Sequence, residues 1–382
     1  MDRRQFLATS SVVLATPALG QVSAGTPADA RPLFKRVDFT SDGLGLDPAE
    51  YAILLQQAVM AGEVQADNYS NGGMIEALEQ KFAGLLGKQA AMFVPTGTLA
   101  NHIAVRKLAG DDRRVLVQAE SHLYNDSGDC AQTLSGLNLI PLAEGRTGMA
   151  LDEVSRWVER SARGRVEMKV GAISIETPVR RKDHASVGFE ELQRICGYAR
   201  ERGIGLHLDG ARLFNLPFHT GKTVKDYAAL FDTVYVSLWK HFNGASGAIL
   251  AGDARFIDGL FHTRRMFGGS LPHAWPQVAL VSKYVEDYER QYAQAWGAAD
   301  RVIGLLQASG FKTRKVPDGT SKFLLSLPAI APEVLAERAL RKGIVLPAGP
   351  PGATEVGLQV NATILRRSPE TLAQTFVELL QG

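Results

Sequence analysis

Short apolar runs of strand type recur through the middle of the chain, each followed by turn formers and then by helical periodicity, and this alternation restricts the possible folds more than any other feature. The runs fall at residues 90–94, 115–118, 137–142, 170–176, 204–209, 233–240 and 247–251. Helices are expected at 48–61 and 74–86, from Leu99 onward, and at 152–160 and 189–202. Strands that are apolar on both faces and alternate with helices predict a largely parallel sheet covered on both sides. Seventeen prolines and 38 glycines, spread along the chain, suit many short connections. In such sheets ligands gather at the carboxyl ends of the strands.

What stands at those ends is therefore the next question. The run Gly205-Leu206-His207-Leu208-Asp209-Gly210-Ala211-Arg212 finishes on a carboxylate, and the run from 233 finishes on Lys240. A pyridoxal phosphate site needs both groups: a lysine amine for the Schiff base and an acid beside the ring nitrogen, so that the ring can take up electrons. The plainer alternative is a buried Asp–Arg ion pair and a surface lysine. A third element sits at the end of 90–94, where Pro95-Thr96-Gly97-Thr98 leads into a helix. Free N–H groups at that helix start, with Gly97 allowing close approach and Thr98 offering a hydroxyl, would bind a phosphate. Thr98 as an ordinary N-cap is the competing reading.

With 382 residues the chain exceeds one ordinary domain. Past residue 269 its character changes to one long helical stretch, 276–307, then strands at 311–316, 321–327, 344–346 and 357–364 with helices at 332–342 and 369–380. The expected division is a leader and linker at 1–30, a large cofactor-binding domain at 31–270 and a small C-terminal α/β domain at 271–382. The leader carries Arg3-Arg4 ahead of a short apolar run and ends on small residues at Val22-Ser23-Ala24, the order of a twin-arginine export signal. That route carries folded proteins, which suits an enzyme loaded with its cofactor before export, and it predicts the periplasm. If the signal is inactive, the address is cytoplasmic. The run is too short for a membrane span. A net charge of +2 gives no electrostatic case for nucleic acid. Cys130 and Cys196 are the only cysteines, nothing brings them together, and they are expected as buried thiols. No metal site is expected.

With these parts placed, the chain resembles the threonine aldolase/β-eliminating lyase family of pyridoxal-phosphate enzymes. The likeness rests on Asp38-Phe39-Thr40-Ser41-Asp42, on Phe93 to Asn101, on His207 to Arg212 and on Arg264-Arg265-Met266-Phe267-Gly268-Gly269. It implies the aspartate-aminotransferase-like fold, fold type I. It further implies that Lys240 carries the Schiff base, Asp209 pairs with the ring nitrogen, and Gly97 and Thr98 hold the phosphate. His122 would stack on the ring and act in proton transfer, and Arg212 would reach the ring hydroxyl or the substrate carboxylate. Arg265 would come from a neighbouring subunit of a homodimer or homotetramer, Ser41 would contact the substrate carboxylate, and Tyr69 would sit near the site.

The departures bear on substrate. Where the family has a histidine and an asparagine after the strand ending at Thr177, this chain has Pro178, Val179 and then Arg180-Arg181-Lys182, so a base or hydroxyl-binding group is missing unless His184 or a water replaces it. Trp239 stands beside the lysine in place of serine, and the last strand offers Gln359 and Asn361 instead of an arginine. The expected activity is cleavage of the Cα–Cβ bond of a β-hydroxy-α-amino acid to glycine and an aldehyde, with Trp239 and Trp275 favouring aromatic substrates. The alternatives are β-elimination on the same scaffold, or a non-catalytic binding protein that kept the fold.

Overall fold

The computed structural model describes residues 33–328, 330–350 and 352–381, so the expected export signal lies outside the described residues. Among the described residues twelve strands form in chain order: β1 (Val37–Asp38), β2 (Ala90–Val94), β3 (Arg114–Gln118), β4 (Asn138–Leu142), β5 (Val170–Glu176), β6 (Gly205–Asp209), β7 (Thr233–Ser237), β8 (Ala248–Gly252), β9 (Thr313–Lys315), β10 (Lys322–Ser326), β11 (Ile344–Val345) and β12 (Glu355–Gln359). Seven of them make the central sheet, in the order β2-β8-β7-β6-β5-β3-β4. Contacts among β4, β3, β5, β6 and β7 are parallel, and β8 runs antiparallel to both its neighbours. The mostly parallel α/β sheet expected from the alternating runs is therefore present. Every residue of β5, β7 and β8 is buried, which is why these strands read as continuous apolar runs without a polar face.

The helices that flank the site follow local rules. Helix α1 (Pro48–Met60) starts with a capping box between Asp47 and Glu50 and has proline in its first turn. Helix α2 (Gly73–Leu86) buries Ile75, Leu78, Phe82 and Leu86, spaced at the helical period, and stops at Gly87 in the left-handed conformation. Helix α3 (Gly97–Ala109) packs across the sheet with Ala100, Ile103, Ala104 and Val105 buried. Phe82, Phe214 and Phe242 meet edge to face in the main core, with centroids 5.0–6.1 Å apart.

Three expected elements differ. The run 233–240 leaves the sheet at Ser237, so Lys240 lies on the connection to β8 rather than on a strand. The expected helix 276–307 is three helices, Trp275–Val278, Val281–Val285 and Tyr288–Ala308, because Leu280 and Asp287 adopt turn geometry with ψ near zero. The last strand ends at Gln359, where Asn361 accepts from the Thr363 N–H and caps a 3-10 turn, Ala362–Arg366.

A second core collects Trp296, Phe323, Leu358 and Phe376 around the sheet β12-β10-β9. Val37 and Phe39 belong to this core too, and β1 pairs in parallel with β11. The segment 38–42, grouped by sequence with the residues before 270, is thus fastened to the C-terminal part of the chain. Among the described residues no helix is long and apolar enough to cross a membrane.

Candidate active site

Asp209 closes β6 and is 3% exposed. Its Oδ1 accepts from the Ala211 N–H at 3.1 Å and its Oδ2 from Asn101 Nδ2 at 2.6 Å. That second bond fixes the Asn101 amide, because an ionised carboxylate can only accept. The Asn101 Oδ1 must then accept from His207 Nε2 at 2.8 Å, which leaves His207 Nδ1 to accept from the Thr233 hydroxyl at 2.8 Å. Burial lowers the His207 pKa to about 4, so the ring is neutral and carries one proton, as this chain of bonds requires. A relay of three side chains, Asn101, His207 and Thr233, holds Asp209 in one orientation.

The start of α3 faces the same space. Thr96, not Thr98, is the N-cap: its hydroxyl accepts from the Leu99 N–H at 3.2 Å. Thr98 lies inside the first turn, with its Oγ1 3.4 Å from His122 Nε2. The first-turn N–H groups of Gly97 and Thr98 have no carbonyl partner within the helix. A Cβ at Gly97 would overlap the Tyr235 hydroxyl, so glycine is needed for close approach. Thr96, Gly97, Thr98, His122, Glu176, Arg180, Asp209, Arg212, Tyr235, Trp239, Lys240 and Ser246 line one cavity of about 180 Å³. Of the expected cofactor residues, Gly97, Thr98, His122, Asp209, Arg212 and Lys240 are brought together there.

Glu176 and Arg180 belong to that wall too, with no role assigned by sequence. Glu176 ends β5, is 4% exposed, and accepts from the backbone N–H of His122 at 2.6 Å and of Arg180 at 2.8 Å. Burial, followed by the neighbouring Asp209 charge, raises its pKa to about 7. Arg180 follows Pro178 and Val179, which stand where the resemblance predicts a histidine and an asparagine, and its guanidinium reaches Asp126 at 2.5 Å. The signal that could have found Glu176 was its place at a strand end, the same as that of Asp209.

Lys240 lines this cavity and a second one of about 560 Å³, which shares Arg212 and Trp239 with the first. Burial, then the Arg212 charge, lowers its pKa to about 8. The Lys240 ammonium lies 5.5 Å from the centre of the Trp239 ring. Burial also lowers the pKa of His122, which favours a neutral ring able to take a proton.

Other expected residues are placed differently. Arg212 does not offer a free guanidinium: Asp42 takes it in a bidentate pair, Nε to Oδ1 at 2.7 Å and a terminal nitrogen to Oδ2 at 2.8 Å. Burial opposes ionisation of Asp42, but the Arg212 charge outweighs it and holds the carboxyl well below the usual range. Gln359 donates to the same Asp42 at 2.7 Å, and Asn361 donates to the Asp38 and Ser41 carbonyls. Ser41 lines the second cavity, with its hydroxyl donated to Asp38. His184 is buried, but it is not part of either cavity wall. Tyr69 and Arg265 are exposed, stacked on each other with the guanidinium 5.2 Å from the ring centre, and outside both cavities. Trp275 packs against the main core instead, so only Trp239 supports an aromatic preference. Cys196 is buried and Cys130 half-buried, and both are free thiols.

The residues present fit pyridoxal phosphate. An oriented carboxylate, an amine of lowered pKa and a helix start with free first-turn N–H groups at a required glycine surround one cavity, in the arrangement that cofactor needs. Comparison with known proteins agrees. A low specificity L-threonine aldolase of Saccharomyces cerevisiae is 26% identical over 318 residues, covering 82% of this chain and 80% of the yeast protein. The crystal structure of a putative L-allo-threonine aldolase from Listeria monocytogenes is 29% identical, with a TM-score of 0.75 over 91% of this chain and 96% of that one. Aspartate aminotransferase from Thermus thermophilus, 16% identical with a TM-score of 0.55 over 91% of this chain and 92% of that one, shares the fold alone. The beta-eliminating lyase family model matches residues 38–328, and with the aspartate-aminotransferase-like fold and this cavity in view, the chain belongs to that family of pyridoxal-phosphate-dependent lyases.

Proposed function

We propose that the protein is a pyridoxal-phosphate lyase that cleaves the Cα–Cβ bond of a β-hydroxy-α-amino acid, giving glycine and an aldehyde. The observation that carries this reading is the convergence of Lys240, Asp209, His122 and the α3 start on one cavity. When bound, the cofactor supplies a conjugated ring that accepts the electron pair of the broken bond.

The protein's own groups then have defined tasks. Lys240, with a pKa of about 8, offers a sizeable neutral fraction near that pH and so can attack a carbonyl carbon. Asp209, held by Asn101, keeps a proton on an adjacent ring nitrogen. The N–H groups of Gly97 and Thr98 and the hydroxyl of Thr96 can bind a phosphate dianion at the helix start. His122, largely neutral near pH 7, is placed to take the proton of a substrate β-hydroxyl.

Incubation with pyridoxal phosphate should give a visible absorbance band that borohydride bleaches, and Lys240→Ala should lack the bleachable band. A protein that gains no such band binds no cofactor this way, and the non-catalytic alternative then stands. Glycine with acetaldehyde or benzaldehyde from threonine or phenylserine supports carbon–carbon cleavage. Ammonia from serine or cysteine derivatives, without glycine, would instead support β-elimination.

Export and assembly belong to the same proposal. The Arg3-Arg4 signal supports a periplasmic address, and a reporter fused behind residues 1–30 that stays in the cytoplasm would remove it. Arg265 and Tyr69, exposed and outside their own cavity, support sites shared between subunits of a homodimer or homotetramer. Light scattering that finds a monomer of full activity would end that part.

A further inference from the structure

An amino acid brings a carboxylate into the cavity, and some cation must meet it. Three cationic side chains line the wall: Lys240, Arg212 and Arg180. Lys240 is committed to covalent work. Arg212 is 8% exposed at its side chain and matched one-to-one by the buried Asp42, so a second carboxylate would have to break a bidentate pair. Gln359 is likewise bound to Asp42, on the oxygen that accepts from Arg212 Nε, and the Asn361 amide N–H groups are taken by backbone carbonyls.

Arg180 is different. Its partner Asp126 is shared with Arg181, whose guanidinium meets the same carboxylate at 2.8 and 3.2 Å. Two guanidinium charges against one carboxylate leave a surplus positive charge at the rim. The Arg180 side chain is 43% exposed, so an incoming anion reaches it without displacing buried groups. Its backbone is fixed by Glu176, the same carboxylate that fixes His122. One buried side chain thus sets the spacing between a cation and the candidate base.

Resting on the lyase reading above, we infer that Arg180 is the substrate-binding residue that receives the carboxylate of the amino acid. A guanidinium suits this because it forms two parallel charge-assisted bonds to a carboxylate. Arg181, paired with the same aspartate but outside the cavity wall, is the natural control.

The test uses full-length protein loaded with pyridoxal phosphate, comparing wild type with Arg180→Gln and Arg181→Gln. The readouts are steady-state kinetics with threonine and absorbance titrations with two probes, glycine and 2-aminoethanol, which has the amine but no carboxylate. Arg180→Gln should raise KM for threonine and the apparent Kd for glycine about 10- to 100-fold, with kcat changed less than about threefold. Its Kd for 2-aminoethanol should stay within about twofold of wild type, and Arg181→Gln, which leaves Asp126 to Arg180 alone, should weaken glycine binding by less than about fivefold and leave 2-aminoethanol unchanged. Equal weakening of both probes would mean a structural role for Arg180, and unchanged glycine affinity would place the carboxylate elsewhere; either result overturns the inference. Wild-type protein that takes no cofactor would instead sink the lyase reading, a failure seen before any variant is made.

Discussion

The two cavities that share Lys240, Arg212 and Trp239 have walls that treat their polar groups in opposite ways. On the wall formed by α3, Asp209 and Lys240, donors are left facing inward: the first-turn N–H groups of Gly97 and Thr98 and the lysine amine. On the wall formed by residues 38–42 and the end of β12, the groups satisfy one another. Asp38 holds Thr40 and Ser41, Asn361 holds the backbone carbonyls of Asp38 and Ser41, and Asp42 holds Arg212 and Gln359. The first wall is prepared for a visitor and the second is a frame. Substitutions on the first should strike chemistry and spare stability, and those on the second should do the reverse.

The sharpest way to break this contrast is Lys240→Ala, expected to lower activity by at least about 10³-fold while the melting temperature of the cofactor-free protein stays within about 2 °C of wild type. A matching loss of stability would show that the lysine is part of the frame. Next in size is Asp42→Ala, which leaves the Arg212 charge buried without its partner and should cost about 3–5 kcal/mol in denaturant unfolding. Adding Arg212→Met should recover part of that loss, and a cost under about 1 kcal/mol for the single variant would mean that the pair is not the strut it resembles. Asn101→Ala should reduce activity about tenfold with normal cofactor content, because Asp209 would lose its orienting donor. Activity equal to wild type would make the relay from Thr233 irrelevant to chemistry.

The smallest effect concerns Glu176. Its folded pKa of about 7 lies above the ordinary carboxyl value of 4.5, so its proton is held better in the folded form. That contribution to stability is complete below pH 4.5 and is lost as pH rises through about 7. Between pH 5 and 8 the melting temperature of wild type should therefore fall more steeply than that of Glu176→Gln, by about 2 °C. Parallel slopes would show that Glu176 is ionised throughout and belongs to the frame.

How much of this was legible in the chain follows from where each signal lies. Asp209, Lys240, Gly97 and His122 could be read because residue type and strand-end position coincide, and a parallel sheet brings strand ends together whatever the details of packing. Asn101 could not, since it sits inside a helix and meets Asp209 across 108 residues. The Arg212–Asp42 pair spans 170 residues, so a free arginine was expected where the fold supplies a bound one. Thr96 and Thr98 flank the same glycine, and only the backbone geometry shows which of them caps. The expected extent of the last strand failed for a local reason, because Asn361 spends its side chain on a cap and turns the chain away.

The fastening of β1 has a consequence in time. The Asp38 N–H donates to the hydroxyl of Thr363, 325 residues later, and β1 finds its pairing strand only at Ile344. During synthesis the central sheet can assemble from residues made earlier, whereas the wall carrying Asp42 has to wait until almost the whole chain has emerged. The cleft therefore acquires its floor first and its last wall afterwards, and a nascent chain keeps one side of the pocket open for most of its life on the ribosome.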